Sequence, residues 1–359
     1  MNTLKKKIKK IIIKKGPISI AEFMKISLTD PKNGYYRKRM PLGSKGDFIT
    51  SPDISQIFGE IIGIWILDLW IKLGKPKDIQ IADIGGGRGT LLSDIKRVLK
   101  DKINNYIFID INIELIKFQK QKVSDAIHFN KLNDIPKKPT IFIGNEFLDT
   151  FPVNQFVLTD NYFKEICINY KEEELIFCNK KTKLSGILDK QKSIDIKIND
   201  IIEINFESRK FIKKISNFIK QNNGGAIFFD YGYTVGHGDT LQAIKGNKFV
   251  SPLSDPGNAD ITSHIDFNDI TIQAKNRMVD VWGPDTQGTF LKKMGAIERL
   301  KSLEESSDDK TKKELNLGLN RLINPKEMGE LFKVFAITPN KYPSPEGFTC
   351  GTRSSYRIK

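Results

Sequence analysis

The feature that most constrains this chain is a run of four glycines within seven residues, Asp83-Ile84-Gly85-Gly86-Gly87-Arg88-Gly89. It follows a short apolar segment, 79–84, and leads into 90–99, where apolar residues recur at helical spacing. An apolar strand that passes through glycines into a helix makes a tight turn. The glycines allow positive φ and let backbone approach a ligand where a Cβ would intrude. The helix that follows presents its first free N–H groups to the same place.

The spacing of Gly85, Gly87 and Gly89 narrows the ligand. A dinucleotide fingerprint needs its third glycine at position 90, which is the β-branched Thr90. A phosphate-binding P-loop needs Gly-Lys-Ser/Thr, and the chain has Arg88-Gly89-Thr90. Asp83 sits just before the turn, where a carboxylate attracts a cationic ligand and disfavours a pyrophosphate. Asp110 closes the next expected strand, 106–111, placed to accept hydrogen bonds from two ribose hydroxyls. A cofactor with an amino group, a sulfonium and a ribose fits this pattern, so S-adenosylmethionine is the expected ligand. A purely structural glycine turn and a nucleotide site are the competing readings.

The rest of the chain supports an α/β fold. Segments 79–84, 106–111, 140–144 and 225–230 read as buried strands, alternating with helices at 90–99, 114–124 and 208–221. That alternation predicts a doubly wound sheet. Residues 1–15 and 18–28 have amphipathic spacing broken by Gly16-Pro17, and Ser51 or Asp53 can cap a helix running through Phe58 and Trp65 to Lys72. Residues 29–50 read as a long loop, 152–180 as β-hairpins and 275–333 as largely helical. The expected divisions are 1–75 as a helical segment with a cofactor-covering loop, 76–274 as the cofactor-binding core with a β insertion at 152–200, and 275–359 as a helical insertion and closing strand region.

The formal charge of +15 permits a nucleic-acid partner. The lysines are spread along the whole chain, however, with no helix-turn-helix, aromatic RNA-binding strand or zinc-finger spacing among them. No specific nucleic-acid partner and no membrane insertion are expected, because no apolar run reaches the length of a span. Cys167, Cys178 and Cys350 have neither metal nor disulfide-framework spacing. The basic first helix lacks the Arg and Ser of a transit peptide, so a cytoplasmic bacterial protein is expected.

An ordered series of motifs then carries a family likeness. It runs from Gly16-Pro17-Ile18-Ser19 and Asn33-Gly34-Tyr35-Tyr36 through Gly46-Asp47-Phe48-Ile49-Thr50-Ser51-Pro52-Asp53 and Phe58-Gly59-Glu60. It continues with the glycine turn, Asn145-Glu146-Phe147-Leu148-Asp149, Asp230-Tyr231-Gly232-Tyr233 and Gly238-Asp239-Thr240-Leu241-Gln242-Ala243. Asp255-Pro256-Gly257, His264-Ile265-Asp266-Phe267, Thr286-Gln287-Gly288 and Pro325 to Val334 close it. The chain resembles the MidA-like family, which includes the mitochondrial complex I assembly arginine methyltransferase. The resemblance implies a class I methyltransferase sheet, S-adenosylmethionine as donor and a protein arginine as acceptor. It also implies a complex I subunit, or a related protein, as the substrate. Two departures stand out. The family usually has Glu-Leu-Gly-Pro-Gly before Arg88, against Asp83-Ile84-Gly85-Gly86-Gly87 here, and Asp110 replaces the usual glutamate after the second strand.

A guanidinium is a poor nucleophile, and carboxylates bonded to it can orient the attacking nitrogen. Glu146 and Asp149 follow an expected strand at the sheet's carboxyl edge, where reactions occur in open α/β folds. Asn145 can bond either partner. Asp230 ends another strand at that edge, and His264 lies among Asp260, Thr262 and Asp266 as a candidate proton acceptor. His128 and His237 have no supporting constellation. Thr50 and Ser51, in the loop 46–56, are candidates to cover the cofactor. A helix cap at Asn145, a strand-end turn at Asp230 and a loop histidine at His264 are the structural alternatives. A non-catalytic scaffold that binds the cofactor and a nucleic-acid methyltransferase are the competing functions. The oligomeric state is left open.

Overall fold

The computed structural model describes residues 2–38, 49–160, 162–182, 196–236, 238–275, 277–340 and 342–352. Residues 46–48 of the expected cofactor-covering loop, part of the β insertion and His237 lie outside the described residues. The chain divides into two compact units, Met1–Arg39 with Asp149–Lys210 and Val235–His264, and Met40–Leu148 with Phe211–Thr234 and Ile265–Lys359. The expected divisions at 75 and 274 follow chain order, and these units do not. Strand pairing is the reason: Ile18–Ser19 adds antiparallel to the distant Cys167–Ile168, which ties the amino terminus to the β insertion.

The second unit carries the large sheet. Its order is Gly351–Thr352, Val279–Thr286, Phe332–Pro339, Gly224–Tyr233, Thr140–Asn145, Gln80–Ile84, Asn105–Ile109 and Ile127–Phe129, with Ile265–Asp266 also paired to Gly224–Tyr233. From Gly224–Tyr233 to Ile127–Phe129 the strands are parallel, while Phe332–Pro339 runs antiparallel to both of its neighbours, Gly224–Tyr233 and Val279–Thr286. Chain order reverses between Gln80–Ile84 and Thr140–Asn145, so the switch point of the sheet falls at the carboxyl ends of those two strands.

The Gln80–Ile84 strand is buried throughout, as its apolar run requires, and helix Thr90–Leu99 buries Leu91, Leu92, Ile95 and Leu99. Helix Gln56–Lys72 buries Ile57, Phe58, Ile61, Ile62, Trp65, Ile66 and Leu69 and leaves Ile64 and Ile71 exposed. Ser55, not Ser51 or Asp53, caps it by accepting from the Ile57 N–H at 3.3 Å, and Ser51–Ile54 forms a separate short helix. Gly59 sits where a Cβ would lie 2.6 Å from Asp94 Cβ, so glycine lets this helix close on Thr90–Leu99. The buried Glu60 lies between Arg97 Nη2 and Arg299 Nε, each at 2.8 Å. Residues 275–333 are less helical than expected, because Val279–Thr286 forms a strand with an irregular register between Trp282 and Asp285.

Phe229 is fully buried and meets the rings of Phe58 and Phe290 edge-on, at 5.0 and 5.5 Å between centroids. Truncating a core phenylalanine to alanine costs roughly 3–5 kcal/mol through lost contacts and the cavity left behind. Phe229→Ala is therefore expected to lower the unfolding free energy by that amount, read as a lower denaturant midpoint at unchanged slope. A loss below about 1 kcal/mol would mean the ring is not a core element.

The first unit contains a second sheet, ordered Ile18–Ser19, Phe163–Lys171, Asn154–Leu158 and Ile201–Ile204, with Glu174–Lys181 pairing Phe163–Lys171. The hairpins expected at 152–180 are present here. Cys167 and Cys178 face each other across neighbouring strands, and burial pushes the Cys167 thiol up to about 12. Helix Thr3–Lys15 buries Leu4, Ile8 and Ile12, so it is built into this unit. Among the described residues, no helix is long and apolar enough to cross a membrane.

Candidate active site

The glycine turn folds as its composition requires. Gly85, Gly87 and Gly89 have φ of 64°, 51° and 79°, in the left-handed region that favours glycine. The Gly85 N–H donates to the Ile109 carbonyl at 3.0 Å, which fixes the turn to the neighbouring strand. A Cβ on Gly85 would lie 2.9 Å from the Phe147 ring, so the turn packs directly on the loop after Thr140–Asn145. The two loops of the switch point are thus in contact.

Gly86 is different, because its φ is ordinary and space is the constraint. A Cβ there would lie 2.6 Å from Phe108 Cδ1 and 2.8 Å from Asp83 Oδ2. Phe108 is itself stacked on His128 at 5.2 Å and fully buried, so it cannot easily withdraw. Proline, usual in the resembled family, does not fit this cradle. Gly86→Pro is expected to cost about 1–3 kcal/mol by overpacking, with Phe108→Leu in the same chain recovering part of it. Thermal melts of the two variants check this, and an undiminished Gly86→Pro protein would contradict the packing argument.

Asp83 is buried and its Oδ2 has no hydrogen-bond partner among the described residues. Burial, and secondly the negative charge of Asp110, push its carboxyl up to about 8. Asp110 lies just after strand Asn105–Ile109, where its Oδ1 accepts the Asn112 N–H at 2.9 Å and its Oδ2 accepts Gln119 Nε2 at 2.8 Å. Across the switch point, Glu146 adopts φ 50° and donates its N–H to the Phe229 carbonyl at 2.8 Å. Glu146 Oε1 accepts Asn145 Nδ2 at 3.1 Å and the Ser51 N–H at 3.3 Å. Asn145 Oδ1 and Ser51 Oγ are buried and without hydrogen-bond partners among the described residues. Thr50 precedes the short helix and accepts the Asp53 N–H on its carbonyl, and Asp53 Oδ1 in turn accepts the Thr90 hydroxyl at 3.0 Å.

Asp230 is fully buried, and its oxygens accept backbone N–H groups of Leu148 at 2.8 Å and Tyr231 at 3.0 Å. It braces the turn that carries Glu146, in keeping with the strand-end alternative. Asp149 and His264 belong to the other unit. Asp149 is buried there beside Tyr36, whose hydroxyl donates to Asp260 at 2.7 Å. Removal from water, then the charges of Asp260 and Asp149, hold the Tyr36 phenol well above its usual range. His264 donates its backbone N–H to Thr240 Oγ1 at 2.9 Å, part of a network in which Gln155 bonds both Glu203 and Asp239.

The profile of a family described as "Putative S-adenosyl-L-methionine-dependent methyltransferase" matches residues 61–284. A relative in Danio rerio, protein arginine methyltransferase NDUFAF7, mitochondrial, is 32% identical over 91% of this chain and 84% of its own. The Homo sapiens protein of the same name is 32% identical over 91% of this chain and 81% of its own. The chain belongs to this methyltransferase family. Its methyl donor is S-adenosylmethionine. A crystal structure of a superfamily member from Burkholderia thailandensis, bound to S-adenosyl-homocysteine, superposes with a TM-score of 0.86. At 22% identity it covers 98% of this chain and 95% of that one, and it shares the fold.

The residues of the methyltransferase fit such a donor. A buried carboxyl at Asp83 whose Oδ2 has no hydrogen-bond partner among the described residues suits a cationic amino group, and the glycine cradle leaves room that side chains would fill. Motif spacing missed Gln119, Asn112 and the Asp53–Thr90 bond. Asn112 shows a helix-cap signal in sequence, and its Oδ1 does accept from Glu114 and Leu115. Gln119 lies mid-helix in a polar sequence and gives no such signal.

Proposed function

We propose that this methyltransferase modifies a guanidinium nitrogen of a protein arginine, with Glu146 as the carboxylate that orients the acceptor. The observation that carries the reading is the backbone of Glu146. A non-glycine residue at φ 50° costs about 1–3 kcal/mol, and such outliers gather at functional sites. It is held there by the Phe229 carbonyl, Asn145 and Ser51 fix its Oε1, and the next residue, Phe147, packs on the glycine turn at Gly85.

Bound S-adenosylmethionine supplies an electrophilic methyl group on a sulfonium. The attacking nitrogen forms a bond to the methyl carbon as the carbon–sulfur bond breaks, and the electron pair returns to sulfur. The nitrogen then releases a proton to a carboxylate or to water. Positioning dominates such an in-line step, so the work of this chain is to hold donor and acceptor in line. Glu146 would bond the guanidinium N–H groups and keep positive charge away from the attacking nitrogen. Asp83 and Asp110 would hold the amino group and the ribose, with the Gly85–Gly89 turn against the donor, Ser51 and Asn145 lining its side, and Asp230 bracing the Glu146 turn.

The arginine specificity draws on the names of the relatives, and the family likeness suggests a respiratory complex I subunit as its source. A cytoplasmic location belongs to the same proposal. The test is incubation of the purified protein and cell extract with methyl-labelled S-adenosylmethionine, then mass spectrometry of the labelled products. Methylarginine in a protein is the expected result. Label in nucleic acid with none in protein would overturn it, and donor binding with no transfer at all would favour the scaffold.

A further inference from the structure

We infer that Gln119 is a positioning residue for the donor, setting the direction in which Asp110 offers its carboxylate to the ribose. The inference rests on the donor-site reading above and extends it to a residue outside every motif. Gln119 stands on helix Ile113–Lys122 and is fully buried. Its Nε2 donates to Asp110 Oδ2 at 2.8 Å and to the Gly87 carbonyl at 2.9 Å. One amide therefore joins the two halves of the site, the glycine turn and the acid after the next strand.

The orientation of the amide follows from its partners. Both are acceptors, so the NH₂ end must face them, and a flipped amide would set oxygen against oxygen twice. The Oε1 is consequently turned elsewhere; it is buried and has no hydrogen-bond partner among the described residues. Space reinforces the arrangement. A Cβ on Gly89 would lie 3.1 Å from Gln119 Cα, so glycine at 89 lets this helix reach the turn. The terminal torsion of a carboxylate is broad, and Asp110 accepts the Asn112 N–H on Oδ1 and the Gln119 amide on Oδ2, so the Gln119 bond helps to set the plane in which the carboxylate lies. This chain has the shorter aspartate where the family usually has glutamate, and the bridge from Gln119 makes its direction definite.

The test is calorimetric titration of the full chain with S-adenosylhomocysteine and with its 2′,3′-dideoxy analogue, in the wild type, Gln119→Met and Gln119→Asn. In the wild type, removing the ribose hydroxyls is expected to weaken binding about a hundredfold, as an unpaired site carboxylate would require. In Gln119→Met that ratio falls to about tenfold or less, and the affinity for S-adenosylhomocysteine itself drops about tenfold. Saturating turnover stays within about twofold, because the loss is in binding shared by ground and transition states. Gln119→Asn keeps the amide but not its reach, and gives the same result should the methionine variant fail to fold. A general loss of structure would weaken both ligands alike and leave the ratio unchanged, and that outcome overturns the inference. Absence of any wild-type binding would instead defeat the donor-site reading as well.

Discussion

Glu146→Gln is expected to lose methyl transfer by about 10²–10³-fold while keeping its affinity for S-adenosylmethionine, the range seen when one group aimed at the reacting centre is removed. The amide is nearly isosteric and can still accept from Asn145 and from the Ser51 N–H, so the turn should persist. What disappears is the negative charge proposed to face a cationic acceptor. The effect should appear in kcat with an unchanged donor Kd, measured by single-turnover transfer and calorimetry. Equal losses in donor affinity would place Glu146 in the donor site, and unchanged turnover would remove it from the reaction. Glu146→Gly is the informative companion. Glycine relieves the left-handed backbone at φ 50°, so that variant should be as stable or more so, and still inactive.

The second large effect concerns Asp83. In the ligand-free protein its carboxyl is pushed up to about 8, mainly by burial and secondarily by Asp110. At neutral pH it holds its proton, whereas a cationic amino group favours the ionised form. With Asp83 as the proposed partner of the amino group, donor binding should be coupled to proton release, and affinity should rise by at most about tenfold per pH unit below that value and level off above it. Calorimetry at pH 6, 7 and 8 in buffers of different ionisation enthalpy reads both the affinity and the released proton; a flat profile refutes the coupling.

Asp83→Asn should abolish the pH dependence and weaken the donor by tenfold to a hundredfold, roughly the 1.5–3 kcal/mol of a charge-assisted bond. Stability should move the other way. An acid whose folded value lies above its ordinary 3.8 contributes fully below that value, and the contribution is lost as pH rises through about 8. Ligand-free wild type should therefore lose stability across that window, and Asp83→Asn should not. At pH 8 the variant is expected to melt higher and to bind worse.

Much of this site was open to inspection in the chain itself, because its elements are local. A buried strand, a glycine turn and a helix occupy consecutive residues, and the observed helix Thr90–Leu99 has the bounds its periodicity predicts. Asp83 and Asp110 could be placed because strand ends are marked by where apolar runs stop. Gln119 could not, since its partners lie at positions 87 and 110 and nothing about a glutamine in a polar helix announces a bridge. Val279–Thr286 was hidden by its own composition: Gly283-Pro284 reads as a turn, and the irregular register at Trp282 and Asp285 breaks the alternation. The make-up of the two units was hidden for another reason. A two-residue strand at Ile18–Ser19 has almost no local signal, and only its distant partner, Cys167–Ile168, gives it meaning.

That discontinuity bears on how the protein can be made. Each unit is assembled from three separated stretches, so neither is complete when a first portion of the chain has left the ribosome. Strands Gln80–Ile84, Asn105–Ile109 and Thr140–Asn145 emerge early, yet the strand that covers their open edge, Gly224–Tyr233, comes much later, and Phe332–Pro339 later still. Until then a nascent sheet rich in Ile and Phe exposes an unpaired edge, the condition under which chains aggregate or recruit chaperones. No single cut separates the units, so fragments ending near residue 150 or 275 should be insoluble when expressed alone. The residues proposed to hold donor and acceptor, Ser51, Asp83, Asp110, Asn145 and Glu146, are all synthesised before strand Gly224–Tyr233. Glu146 takes its place only when the Phe229 carbonyl of that strand is there to accept its N–H.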